Sequence, residues 1–167
     1  MMTLDSYKVA PLTMIFLVDG NKVLTLKRNE DKKIYPGKIS GFGGKVEPDE
    51  DIEASARREF LEEAGLEVEK MDLRGTFIRI LDNGYINEMY IFVAQGFKGD
   101  PFKMSNEGTI EWQTIEDILN NPDTVDHIPL YLKQVIAGND FYCGIAEYTQ
   151  DKRVAYANNK SHFDERR

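Results

Sequence analysis

The sequence has a single cysteine, Cys143, among 167 residues, so no internal disulfide can form. That points to a reducing compartment. Its two histidines, His127 and His162, lack metal-ligand spacing and are expected to have no special role. Basic residues are in the minority: 21 Lys and Arg against 29 Asp and Glu give a net charge of -8. A long nucleic acid is disfavoured as partner, because such binding rests on Lys and Arg neutralising phosphates. A small polyanion remains compatible if a divalent cation bridges the two negative partners. Long apolar runs are absent too. "VAPLTMIFLV" near the start is too short to span a bilayer and carries Pro11. No charged-then-apolar signal segment precedes it. A soluble cytoplasmic protein is expected, with no membrane and no nucleic acid polymer among its partners.

What is present reads as one domain over residues 1–167, with about 158–167 a polar, frayed tail. "LTMIFLV" and "VLTLKR" flank "DGNK" and predict a hairpin. "NEDKKIYPGKISGFGGK" predicts a glycine-rich loop. From Asp51 to Ala64 the pattern predicts a helix, with Asp51 as N-cap, Gly65 just past the end, and Ile52, Ala56 and Phe60 as a buried stripe. Two strands around "DNG" follow. Next comes a short strand running into a short helix capped by Thr114, and then a helix from about Val125 to Ile136, ended by Gly138. A last hairpin turns at "TQDK". Mixed strands and helices of this kind predict a sheet with helices packed on it. Cys143, in a strand-like run, is expected to be buried filler.

The stretch "REFLEEAGL" poses an electrostatic problem. On a helix, Glu59, Glu62 and Glu63 share one face, and each like-charge pair costs roughly 0.2–0.5 kcal/mol. Such a cluster is either a solvated acidic face or the site of a hard divalent cation, which prefers carboxylate oxygens. Upstream, "GFGGKVEPDE" supplies glycines that let backbone approach a ligand closely.

Together these residues form a pattern. In "GKVEPDEDIEASARREFLEEAGL", Gly44 is followed by Glu50, then Arg58-Glu59-Phe60, Glu62-Glu63 and Gly65-Leu66. It resembles the Nudix box at every fixed position. The resemblance implies an α/β/α sandwich around a mixed sheet, and hydrolysis of a nucleoside diphosphate linked to another group. It implies Mg²⁺, or Mn²⁺, as cofactor. Carried over by motif position, Glu59, Glu62 and Glu63 are ligands, one of them a candidate base. Arg58 orients a glutamate, and Gly44 offers its carbonyl to the metal. Glu50 either joins the outer metal shell or caps the helix.

"GFGGKVE" and the order of segments after the box also resemble the MutT-type branch, whose substrates are oxidised purine nucleoside triphosphates such as 8-oxo-dGTP. That branch implies release of a monophosphate and pyrophosphate. The alternative is another nucleoside diphosphate-X compound: ADP-ribose, a nucleotide sugar or a dinucleotide polyphosphate. By the same resemblance Glu107, five residues before Trp112, lies near the metals or is a surface glutamate. Asp123 and Asn121, in "NPD", line the base pocket, unless Asp123 is a helix cap. Lys45, Gly43, Arg28 and Phe42 are further substrate-binding candidates, as are Lys27 and Lys38. The sequence departs from the branch at Ile39-Ser40, commonly Trp-Asn in eukaryotic members, at Asn121 in place of a stacking aromatic, and at Thr124 in place of a second acid. Weaker selection for 8-oxo-guanine is expected. The expected partner is a nucleotide, and the protein a monomer or homodimer.

Overall fold

The computed structural model describes residues 8–159. Of the tail expected over about 158–167, Asn158 closes the last strand and the Asn159 N–H donates to the Cys143 carbonyl, while residues 160–167, His162 among them, lie outside the described residues. The first strand, β1 (Lys8–Asp19), carries a continuous buried run because both of its faces are covered. Met14, Phe16 and Val18 face one core, while Ile15 and Leu17 face the other. A two-residue turn at Gly20-Asn21 leads into β2 (Lys22–Arg28), as the hairpin motif predicts.

The two strands pair only at Val18–Val23 and Asp19–Lys22, then part. Beyond that point β1 runs parallel to β5 (Tyr85–Phe97), with ten residues in register. β2 pairs instead with β6 (Gly108–Thr114). The wedge between β1 and β2 is filled by the glycine loop. It opens with a two-residue strand, β3 (Ile39–Ser40), paired to β2. It then bridges to β1 at Phe42–Ile15 and Lys45–Leu12. Sequence reasoning leaves 39–40 in loop because its strand is set by these long-range partners, not by local pattern.

Outward from β5, the mixed sheet continues through antiparallel β4 (Val68–Leu81), parallel β7 (Tyr142–Thr149) and antiparallel β8 (Lys152–Asn158). Helix α1 (Ile52–Ala64) covers one face through Ala56, Phe60 and Ala64. Asp51 caps it by accepting from the Ala54 N–H, and Gly65 closes it in the left-handed conformation. The short α2 (Ile115–Asn120) is capped by Thr114. Helix α3 (Ile128–Ala137) packs Ile128, Tyr131, Leu132 and Val135 on the opposite face. The result is the α/β/α layering expected from the sequence. α3 starts three residues later than predicted, because the Val125 N–H is committed to the Ile39 carbonyl at 3.0 Å. Asp123 is therefore no helix cap; that position falls to His127. Cys143 is exposed rather than buried, since strand alternation turns its neighbours Tyr142 and Gly144 inward instead.

Candidate active site

The box helix and the glycine loop meet where β1 and β2 diverge. The Gly43 N–H donates to the Glu63 carboxylate at 2.9 Å. Gly43 has φ +135, and any Cβ there would collide with the Thr13 carbonyl, so glycine is required. Gly44 faces Glu59: a Cβ would sit 2.6 Å from the carboxylate carbon. The Gly44 carbonyl accepts the Thr13 N–H at 2.8 Å and, more weakly, the Thr13 hydroxyl at 3.4 Å.

Arg58 organises the carboxylates around it. It grips Glu50 with two nitrogens, at 2.6 and 3.0 Å, and reaches Glu59 at 2.9 Å and Glu62 at 3.4 Å. The hydrogen bond from Arg58 holds the Glu50 carboxyl down at about 2, and Glu50 in turn raises the Arg58 guanidinium above its usual value. Glu50 thus sits on Arg58, just ahead of the helix. Glu62 lies largely in solvent on the same guanidinium.

Glu63 is different. It is buried, and burial pushes its carboxyl up to about 7. Repulsion from Glu59 and Glu107 adds to the rise, and the Gly43 N–H opposes it. Glu107 comes from the loop before β6 and is held by Lys32 at 2.8 Å and Arg28 at 3.6 Å. Three carboxylates from two chain segments, Glu59 and Glu63 on α1 and Glu107 on the loop before β6, therefore repel one another across a small space. Among the described residues no three acidic or imidazole groups already converge at coordinating distance; Arg58 and the Gly43 N–H occupy their oxygens instead. The hard oxygen donors and their mutual repulsion fit a divalent cation such as Mg²⁺.

A cavity of about 480 Å³ opens beside this group. Glu59, Glu63, Glu107, Arg28, Lys45 and the glycine loop from Gly41 line it. Phe42 does two jobs there: it lines the cavity and packs edge-on against Phe60 at 5.1 Å between ring centres. The cavity then runs over β1 and β5, past Met14 and Met89, to Tyr35, Arg79 and His127.

Several of the expected residues lie elsewhere, Lys27 and Lys38 among them. Glu62 does not line the cavity. Asp123 is exposed and paired to Lys38 at 3.1 Å, and Asn121 accepts the Asp123 N–H at 2.9 Å on the outer surface. Trp112 packs against Phe97 beside the α1-side core. Conversely, Tyr35 and Arg79 line the cavity without having been singled out by any sequence motif, and His127, notable in the sequence only for lacking metal-site spacing, joins them. His127 is fully buried, its Nδ1 lies 3.1 Å from the Tyr131 hydroxyl, and burial drives its imidazole down to about 3. Arg79 had a readable signal. In "TFIRIL" it shares the inward register with Phe77 and Leu81.

Comparison with known proteins agrees with this geometry. The NUDIX domain family model matches residues 9–134. An oxidized purine nucleoside triphosphate hydrolase of Danio rerio is 34% identical over 108 residues, covering 64% of this chain and 67% of that protein. The Mus musculus protein of the same description is 35% identical over 150 residues, 87% of this chain and 91% of the relative. The crystal structure of the mMutator MutT protein of Bacillus halodurans superposes with a TM-score of 0.81 at 26% identity, over 92% of this chain and 99% of that one. No helix among the described residues is long and apolar enough to cross a membrane. With three quarters of its length under the family model, and with Glu59 and Glu63 of the box lining one cavity, the chain belongs to the Nudix hydrolase family.

Proposed function

We propose that the protein hydrolyses a purine nucleoside triphosphate to the monophosphate and pyrophosphate with the help of Mg²⁺ or Mn²⁺, oxidised purines such as 8-oxo-dGTP being among its substrates. The observation that carries this reading is one cavity whose end at Glu59, Glu63 and Glu107 continues into an end lined by Tyr35, Arg79, His127 and Asp151. Glu59, Glu62, Glu63 and Glu107, with the Gly44 carbonyl, are the groups to hold the cation. When bound, it neutralises phosphate charge and acidifies water. Arg58 keeps Glu59 and Glu62 in place through its ion pairs. Glu63, whose carboxyl rests near neutrality, can hold or release a proton at working pH. Arg28, Lys45 and the Gly43 backbone flank the path of the phosphates, and Phe42 forms its floor. Asp123 reaches a base only when its pair with Lys38 opens. The relatives described as oxidized purine nucleoside triphosphate hydrolases favour a nucleotide-pool role.

The test is a hydrolysis panel with Mg²⁺: 8-oxo-dGTP, 2-hydroxy-dATP, ordinary nucleoside triphosphates, ADP-ribose, nucleotide sugars and diadenosine polyphosphates. The expected result is the highest kcat/KM on a purine triphosphate. Preference for a diphosphate linked to another group would refute the substrate assignment while keeping the family chemistry.

A further inference from the structure

At the far end of the cavity two buried polar groups have no hydrogen-bond partner among the described residues. Arg79 is 8% exposed, yet among the described residues its guanidinium forms no ion pair and its Nε makes no hydrogen bond. The Tyr35 hydroxyl, on the same wall, is likewise buried and unpaired. Native structures satisfy nearly all such groups, and an orphan asks for a reason. The cost is compounded at Tyr35, a non-glycine residue with φ 53. Left-handed backbone at a bulky residue persists where a site demands it.

The guanidinium is not loosely placed. It lies 4.5 Å from the Tyr148 ring centre and 5.4 Å from that of Tyr35. Tyr rings attract the cation and leave its N–H groups free for a further partner. Its position in the sheet is informative. From the glycine loop, the cavity crosses β1 and β5 to reach Arg79 on β4. Three strand spacings of about 4.8 Å place Arg79 roughly 14 Å from the loop beside the glutamates. A triphosphate held at the carboxylates would thus bring its base to Arg79.

We infer that Arg79, with the Tyr35 hydroxyl beside it, selects the base: it donates to a carbonyl oxygen at the purine 6-position and so favours 6-oxopurines over 6-aminopurines. Arginine carries donors only. The O6 of guanine, hypoxanthine or 8-oxo-guanine accepts from it. The exocyclic amine of adenine or 2-hydroxy-adenine presents another donor and leaves the buried cation unpaired, which is the stronger form of discrimination. This assignment rests on the proposed triphosphate reading for the direction in which the nucleotide lies.

The experiment compares two substrates that differ at the 6-position, dGTP and the triphosphate of 2,6-diaminopurine deoxyriboside, with wild type, Arg79→Met and Arg79→Lys. Binding of the corresponding monophosphates is followed by calorimetry. Circular dichroism confirms that each variant is folded. Wild type is expected to prefer the 6-oxo member at least tenfold in both kcat/KM and Kd. Arg79→Met is expected to lose most of that ratio, and Arg79→Lys to keep part of it. A Met variant that loses equally on both members, or a wild type without preference in binding, overturns the assignment. If wild type hydrolyses no triphosphate yet binds the guanine monophosphate selectively through Arg79, the proposed function falls and the assignment of Arg79 stands.

Discussion

Glu63 is held in a place that suits catalysis and harms stability, so Glu63→Gln is expected to make the metal-free protein more stable while abolishing turnover. The carboxyl rises from its ordinary 4.5 to about 7, chiefly through burial and then through Glu59 and Glu107. For an acid whose folded value is raised, the folded state binds more protons than the unfolded chain between those two values. Stability therefore falls as pH rises from 4.5 to about 7, and the full deficit persists above. At about 1.36 kcal/mol per pH unit this amounts to roughly 3 kcal/mol at pH 8. Glutamine has no charge to desolvate, and its amide oxygen can still accept the Gly43 N–H. For a chain of this size each kcal/mol moves Tm by about 2–4 °C. Differential scanning calorimetry in EDTA should show the variant melting about 6–12 °C higher at pH 8, with the gap closing toward pH 4.5. Added Mg²⁺ should narrow the gap at pH 8 by stabilising wild type alone. A variant that melts lower at pH 8, or a gap independent of pH, would refute the claim that buried charge at Glu63 is uncompensated.

Other perturbations separate the parts of the site. Glu107→Gln should lower kcat at least tenfold with little change in Tm, because its pairs with Lys32 and Arg28 are about a third exposed and contribute little to stability; an unchanged rate would reduce Glu107 to a surface anchor. Gly43→Ala should cost about 1–3 kcal/mol from backbone strain alone, more from the clash with Thr13, read by urea unfolding; a wild-type midpoint would contradict the required conformation. His127 should remain neutral in the folded protein down to about pH 4, because burial drives its imidazole to about 3. The unfolded chain then binds the extra proton between pH 3 and 6.5, so this residue's contribution to stability is lost as pH falls through that window. An imidazole NMR titration with a midpoint near 6.5 would contradict it.

The box was readable because its constraints are local. A helix fixes the spacing of Glu59, Glu62 and Glu63, and Asp51 and Gly65 mark that helix's ends by their own chemistry. The hairpin turns were legible for the same reason. The far end of the cavity was not. Arg79 comes from β4, Tyr35 from a loop and His127 from the start of α3, and only the sheet order brings them together. Asn121 and Asp123 illustrate the converse. Their place in the chain follows the resemblance, but the Ile39–Asp123 and Lys38–Asp123 bonds pin that segment outside the cavity wall. The extra strand at Ile39–Ser40 depends on the same distant partners.

The most direct test of the central claim is the product of a single substrate: dGTP with Mg²⁺, followed by ³¹P NMR, with Glu63→Gln as blank. Wild type is expected to yield dGMP and pyrophosphate in equal amounts, and the variant neither. Release of dGDP with orthophosphate, or undiminished turnover by the variant, would contradict it.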